Sequence, residues 1–185
     1  MTPYQTHVKR WKSCTRCPLC EGRKSVVLCR GRLPCDVIFV GEAPGFNEDS
    51  VGQPFVGPAG KLLDRMIEEA DSSRTDAANM RVIRTAFTNI IACIPKDPDG
   101  DKVSDPLDDS VEKCRPRLME ILKIANPHIM VAVGKVAANC LGKLKTRPPF
   151  VEIMHPAAIL RANAGAQGLL FQKTVVTLAE LFETL

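Results

Sequence analysis

The sequence Val37-Ile38-Phe39-Val40-Gly41 indicates the fold of this chain. Its β-branched and aromatic residues form a short apolar run that stops at a glycine, which is typical of a buried strand. The next periodic segment, residues 59–70, has apolar side chains at positions 59, 62, 63, 66, 67 and 70. This spacing predicts a helix with one apolar face.

The alternation of strand and helix continues to the end of the chain. Apolar runs predict further strands at 82–91, 129–133 and 150–154, and helical spacing predicts further helices at 111–125, 136–141 and 171–182. Strands that alternate with helices across short connections favour a parallel sheet covered on both faces. The predicted fold class is therefore α/β, a three-layer α/β/α arrangement with a central four-stranded parallel sheet.

Composition limits the classes of protein to consider. The chain has 185 residues, of which 45% are hydrophobic and 25% charged, as expected for a soluble globular protein with a full core. It has no apolar run of about 18 residues and no signal-peptide pattern at its start, so we expect a cytoplasmic protein, prokaryotic or viral, with no membrane partner. A net charge of +4 permits an anionic partner such as nucleic acid without requiring one.

The first 35 residues differ from the rest of the chain. They contain an excess of basic residues and five of the eight cysteines, at positions 14, 17, 20, 29 and 35. We expect one domain over residues 1–185, in which a cysteine-rich basic arm (1–35) packs on an α/β core (36–185). Cytosolic thiols are kept reduced, so clustered cysteines there more often bind metal than form disulfides.

Unusual residues follow the predicted strands, where open parallel sheets bind ligands. They are Gly41 to Gly45, Thr88-Asn89, Gly134 and His155-Pro156. Each also has an ordinary structural interpretation: a tight turn at 41–45, a turn cap at Asn89, a satisfied histidine at 155 and a core side chain at Phe55. Their convergence at one sheet edge favours a pocket for a planar ligand with donors and acceptors at its edge.

Four motifs together resemble the signature of the family 4 uracil-DNA glycosylases. They are Gly41-Glu42-Ala43-Pro44-Gly45 with Glu48-Asp49, Gly52-Gln53-Pro54-Phe55-Val56-Gly57-Pro58-Ala59-Gly60, Thr88-Asn89-Ile90-Ile91-Ala92-Cys93 and His155-Pro156-Ala157-Ala158-Ile159-Leu160. The resemblance extends from about Cys14 to Arg161, with the motifs in family order. It implies a fold like that of the uracil-DNA glycosylases.

The resemblance implies an enzyme that flips uracil out of DNA and hydrolyses its N-glycosidic bond, leaving an abasic site for base-excision repair. We expect a monofunctional hydrolase and a monomer, with uracil-containing DNA as substrate and replication or repair proteins as candidate partners. Two alternatives stay open. One is a family relative with altered catalysis, and the other is a cysteine-cluster module that binds DNA or a replication protein without turnover.

The resemblance also implies roles for individual residues. The departing uracil develops negative charge at O2, which His155 and the backbone N–H groups around Glu42 and Ala43 would stabilise. Ala43 stands where the best-known uracil-DNA glycosylases have an aspartate, so Glu42 is the candidate for positioning water. The expected catalytic residues are Glu42 and His155.

Five residues are expected to bind the substrate: Gly41, Ala43, Glu48, Phe55 and Asn89. The Asn89 amide would pair with uracil O4 and N3–H, Phe55 would stack on the base, and Glu48 would exclude the methyl group of thymine. We expect a loop after His155 to contact DNA through an apolar wedge, with Pro156, Ala157, Ile159, Leu160 and Arg161. The alternative is that Ile159 and Leu160 anchor this loop in the core.

The family places four cysteine ligands at positions that correspond here to Cys14, Cys17, Cys93 and Cys114. The resemblance implies a structural [4Fe-4S] cluster, although thiolate chemistry alone equally allows zinc. Cys20 stays open as an alternative ligand, because it extends a Cys-x-x-Cys-x-x-Cys run. The interval between Cys93 and Cys114 is longer than is typical of the family, and Cys20 could replace either Cys17 or Cys114 as a ligand.

Overall fold

The four predicted strands form a parallel sheet, and a short fifth strand joins its edge in the antiparallel direction. The computed structural model describes residues 1–74, 82–97, 99–104, 108–144 and 148–185. Its strands are β1 (Arg30–Gly31), β2 (Val37–Gly41), β3 (Thr85–Asn89), β4 (Ile129–Val133) and β5 (Phe150–Ile153). Its helices are α1 (Pro3–Trp11), α2 (Leu19–Gly22), α3 (Phe46–Val51), α4 (Pro58–Ser72), α5 (Asp108–Ala125), α6 (Lys135–Lys143), α7 (Pro156–Arg161) and α8 (Ala164–Glu183).

The sheet order is β1-β3-β2-β4-β5, with β2 at the centre. All five residues of β2 are buried, as its continuous apolar sequence predicts. Because the four long strands are parallel, their carboxyl ends lie along the same edge of the sheet. The register places Gly41 opposite Asn89 and Val133 opposite Ile153, so the residues that follow these strands meet there.

Side chains of β2 alternate between two cores. Val37 and Phe39 pack with α4, α7 and α8 on one face, and Ile38 and Val40 pack with α5 and α6 on the other. The predicted three-layer α/β/α class is therefore confirmed, with five strands instead of four. The added strand, β1, has two residues, which is too short for a periodic sequence signal.

The N-terminal segment is held against β3 and α5. The backbone N–H of Val27 donates to the Ala92 carbonyl at 2.7 Å, and the Thr88 hydroxyl donates to the Leu28 carbonyl at 2.7 Å. On α1, the Trp11 indole N–H donates to the Glu120 carboxylate of α5 at 2.9 Å. Through these hydrogen bonds, the cysteine-rich segment packs along the β3 side of the sheet.

Two of the differences between the observed and the predicted elements concern β3 and the segment after His155. The predicted strand 82–91 is limited to 85–89. It begins late because the backbone N–H and the guanidinium group of Arg84 both donate to the buried Asp36 carboxylate at 2.8 Å. The predicted loop after His155 is wrong, since Pro156–Arg161 forms α7. A proline at the first helical position and a capping side chain before it explain this helix. In the described ranges no helix could cross a membrane.

Candidate active site

A cleft of about 480 Å³ opens at the carboxyl ends of β2 to β5. This volume is within the range of about 300–1,000 Å³ that small-molecule sites occupy. Its wall includes eight of the residues that the sequence predicts for the site: Glu42, Ala43, Glu48, Phe55, Asn89, His155, Ala157 and Arg161. The structure therefore brings together groups that come from four separate motifs.

Gly41 makes room for two of these groups. A Cβ atom at this position would lie 2.4 Å from Asn89 Oδ1 and 2.6 Å from Phe55 Cζ. The amide and the aromatic ring thus both press against the Gly41 backbone, which only glycine permits. Gly41 therefore lies behind the Asn89 and Phe55 side chains and does not line the cleft itself.

The Asn89 side chain is 3% exposed and lies at the end of β3. Its backbone carbonyl accepts a hydrogen bond from the buried Arg117, but within the described ranges its side-chain amide has no hydrogen-bond partner. Buried amides are normally satisfied, so one that faces a cleft is available for a ligand. It offers one acceptor and two donors on a single planar group.

Phe55 lies beside Asn89 in a left-handed backbone conformation, with φ 57°. Gly60 of α4 permits this turn, since a Cβ atom there would lie 2.0 Å from the Phe55 carbonyl oxygen. The ring is 7% exposed, and its centroid is 5.9 Å from that of Phe87. Phe55 therefore belongs both to the core and to the cleft wall.

Glu48 fastens two walls of the cleft together. Its carboxylate accepts hydrogen bonds from the backbone N–H groups of Gly45, at 3.1 Å, Val56, at 2.9 Å, and Gly57, at 2.7 Å. These bonds connect the 41–45 turn to the loop that carries Phe55. The predicted role of Glu48 in excluding thymine stays a prediction, because these bonds show only that it shapes the wall.

His155 caps the N-terminus of α7. Its Nδ1 accepts a hydrogen bond from the Ala157 backbone N–H at 3.1 Å, which requires the neutral ring to carry its proton on Nε2. Burial, and secondarily the positive charge of Arg161, lower the pKa of His155. Gly134, at φ 92°, lets the ring approach, because a Cβ atom there would be 3.0 Å from His155 Cβ. The site thus contains a neutral imidazole that can donate from Nε2.

The residues predicted to contact DNA divide into two groups. Pro156 and Ile159 are buried, and Ile159 packs in the core with 2% exposure, so their predicted contact with DNA stays a prediction that this burial does not favour. Helix α7 turns Ile159 inward, as the core-anchor alternative predicts for this residue but not for Leu160. Leu160 is 43% exposed, Arg161 is exposed and lines the cleft, and Ala157 also lines it.

The β2–β3 pairing continues past the strands to Glu42. The Gly41 carbonyl accepts from the Ile90 N–H at 2.8 Å, and the Glu42 carbonyl accepts from the Ile91 N–H at 3.1 Å. Glu42 is half-buried on the cleft wall. The cleft also includes Lys135, which sequence reasoning missed. Its position directly after the glycine that ends β4 was the available signal.

A second, small cavity is lined by Cys14, Cys17, Cys93 and Cys114, the four predicted ligands, and Cys20 is not among its lining residues. Four basic residues also line it: Arg16, Arg23, Lys113 and Arg117. The guanidinium group of Arg23 donates to Cys93 Sγ at 3.4 Å, while burial raises the pKa of the Cys93 thiol to about 11. Nearby cations stabilise thiolates, which are the form of cysteine that binds metal, so this cavity suits a metal centre held by four cysteines.

Arg117 connects this cavity to the cleft. It is 1% exposed, and its guanidinium group donates to the Thr88 hydroxyl at 2.9 Å, to the Ile90 carbonyl at 2.8 Å and to the Asn89 carbonyl. The buried cation thus holds the backbone that carries the Asn89 amide. Sequence reasoning missed Arg117, because a basic residue within a helix gives no sign of which backbone it will meet.

This chain belongs to the uracil-DNA glycosylase superfamily, because the family model "Uracil DNA glycosylase superfamily" matches residues 30–179. The crystal structure of Pedobacter heparinus SMUG2 has the same fold. It superposes with a TM-score of 0.60 at 14% identity, covering 80% of this chain and 76% of that one.

Within the superfamily, the predicted similarity to family 4 is confirmed. The type-4 uracil-DNA glycosylase of Saccharolobus solfataricus is 37% identical over 133 residues, which are 71% of this chain and 56% of the relative. That of Pyrobaculum aerophilum is 35% identical over 136 residues, 74% of this chain and 63% of the relative. That of Thermotoga maritima is 35% identical over 131 residues, 71% and 62% respectively. The matched region thus spans less than two thirds of each relative.

Proposed function

We propose that this chain is a monofunctional uracil-DNA glycosylase acting in base-excision repair. The observation that carries the proposal is the convergence of Asn89, Phe55 and His155 on one cleft. The type-4 relatives and the superfamily match support it. The substrate is uracil-containing DNA, and the products are free uracil and an abasic site.

Base recognition follows from the groups on the cleft wall. The Asn89 amide donates to uracil O4 and accepts the N3 proton, whereas cytosine presents the opposite pattern at both positions. A mismatched base would leave this buried amide unpaired, which is the condition for strong discrimination. The Phe55 ring stacks on the flipped base.

The leaving uracil is stabilised as an anion. The neutral His155 ring donates a hydrogen bond from Nε2–H to O2, where negative charge develops, and the lowered pKa of this histidine keeps it uncharged near neutrality. Each fixed donor of this kind contributes roughly a hundredfold in rate. We assign the positioning of the attacking water to Glu42, whose carboxylate-bearing segment is fixed by the β2–β3 pairing.

DNA contacts flank the cleft. Leu160 is the exposed apolar residue of α7 and replaces Ile159 as the candidate wedge, while Arg161 and Lys135 on the wall can bind phosphates. We also propose that residues 1–185 act as one domain, since the N-terminal segment is bonded to β3 and α5, and that the chain acts as a monomer. Replication or repair proteins remain candidate partners.

We further propose that Cys14, Cys17, Cys93 and Cys114 hold a [4Fe-4S] cluster. They line one cavity together with four basic side chains, and the resemblance to family 4 favours an iron–sulfur cluster over zinc. When bound, the cluster would supply a structural cross-link between the N-terminal segment, the end of β3 and α5. Iron and acid-labile sulfide assays of purified protein test its identity.

The deciding experiment is incubation with a labelled oligonucleotide that contains one uracil, followed by alkaline cleavage of abasic sites. We expect cleavage by the native chain and a loss of roughly a hundredfold in Asn89→Ala and His155→Ala. The matched controls are the exposed residues Asn139 and His128, whose alanine variants should retain activity. Binding of uracil-containing DNA without any cleavage would instead support the non-catalytic binding module.

A further inference from the structure

We propose that Arg30 is a positioning residue that sets the Phe55 ring for stacking on the base; this inference rests on the proposed function. Arg30 belongs to the edge strand β1 and does not line the cleft. Its Nε–H donates to the Pro54 carbonyl at 2.8 Å, and its Nη2 donates to the Phe55 carbonyl at 3.2 Å. One guanidinium group therefore holds two successive carbonyls of the turn that presents the ring.

The turn needs such a partner. Phe55 has φ 57°, a conformation that non-glycine residues adopt only where surrounding contacts enforce it. Gly60 has no Cβ atom to clash with the Phe55 backbone, and Gly41 has none to clash with the Phe55 ring. These glycines provide space but no attractive contact, whereas the hydrogen bonds from Arg30 hold the backbone in place.

Arg30 is itself anchored on two further elements. Its Nη2 lies 2.6 Å from Asp64 Oδ1 of α4, and its guanidinium carbon lies 3.8 Å above the Phe87 ring of β3. The Phe87 ring also contacts Phe55. Stacking on a ring while donating in three in-plane directions requires a planar fork, which lysine lacks. The arrangement thus links β1, β3, α4 and the Phe55 turn through a single side chain.

A purely structural role for Arg30 makes a different prediction from a positioning role. If Arg30 acts through Phe55, its removal has no further effect on uracil release once the ring is gone. If it only stabilises the fold, its removal has the same effect whether or not the ring is present. A double-mutant cycle between Arg30 and Phe55 separates these cases.

The experiment measures single-turnover uracil release and KM for Arg30→Met and Arg30→Lys, in the native chain and in Phe55→Leu. The control is Arg32→Met, the exposed arginine next in the segment. We expect Arg30→Met to reduce kcat/KM on the order of 10- to 100-fold in the native chain and less than about twofold in Phe55→Leu. Arg30→Lys should recover little of this loss, and thermal unfolding confirms that each variant is folded.

Two results would overturn the inference: native activity in Arg30→Met, or an equal loss in both backgrounds. Absence of cleavage by the native chain and by Arg32→Met would instead reject the proposed function. In that case the inference is decided by NMR of ring-labelled phenylalanine, with the Phe55 resonances assigned from Phe55→Leu. They should shift in Arg30→Met and not in Arg32→Met, and unchanged resonances would reject the positioning role.

Discussion

Substitution of Gly41 by alanine tests the geometry of the cleft with one methyl group. The new Cβ would lie 2.4 Å from Asn89 Oδ1 and 2.6 Å from Phe55 Cζ, whereas ordinary van der Waals contact begins at 3.4 Å. The amide and the ring must therefore each retreat by about 1 Å. Both side chains are buried, at 3% and 7% exposure, and they retreat into packed surroundings or into the cleft itself.

A misplacement of about 1 Å can reduce the rate of an enzyme by roughly a hundredfold. A hundredfold loss corresponds to about 2.7 kcal/mol of transition-state stabilisation. We expect Gly41→Ala to lose about this much in kcat/KM for uracil release. Its fold should persist, because Gly41 has a negative φ that alanine can adopt and the displaced atoms are ends of side chains.

The assay is single-turnover cleavage of the uracil oligonucleotide, together with circular dichroism and thermal unfolding. Gly142→Ala is the matched control, since its Cβ would meet Phe150 Cζ at an ordinary 3.9 Å. The control should retain full activity. A folded Gly41→Ala variant that keeps more than about a third of native kcat/KM would refute the assigned roles of Asn89 and Phe55, because their displacement would then be without consequence.

Three further predictions concern charge and metal. Uracil release should be constant near neutral pH and fall in acid, because protonation of His155 at Nδ1 removes the acceptor of the Ala157 N–H bond that orients the ring. Arg161→Gln should move this fall to higher pH, because it removes a cation that lowers the His155 pKa. An unmoved acid limb in a pH–rate profile would contradict this. Iron analysis should show that Cys114→Ser loses bound iron and that Cys20→Ser retains it, because Cys114 lines the shared cavity and Cys20 does not. Equal iron content in the two variants would reject the ligand set. Lys135→Ala should weaken DNA binding uniformly across sequences and reduce its salt slope by about 1, as measured by titration at several salt concentrations, and an unchanged slope would exclude a phosphate contact.

Much of the cleft was predictable from sequence because its residues follow strands. The apolar runs that define β2 and β4 also specify where those strands end, and parallel strands bring their ends to one edge. Asn89 and His155 could therefore be placed together without knowledge of any contact between them. Because an amide and an imidazole stand where apolar runs end, their hydrogen-bonding roles could also be predicted.

Other features could not be read from local pattern. The sequence His155-Pro156 predicted a loop, yet a histidine cap and a proline at the first position begin α7, which turns Ile159 into the core. The two-residue strand β1 has no periodicity of its own. It exists because β3 presents an edge to which Arg30 and Gly31 pair.

The sequence by itself determined the four parallel strands, the helices that alternate with them, the family resemblance and the polar groups at the strand ends, because these follow from local periodicity and short motifs. Only the tertiary structure decided that Arg30 holds the Phe55 turn, that Arg117 holds the Asn89 backbone and that Cys20 lies outside the shared cavity. These contacts join residues 25 or more positions apart, as in the Arg30–Phe55 and Arg117–Asn89 pairs. Such pairings depend on how packed elements meet in space, which no local pattern of residues encodes.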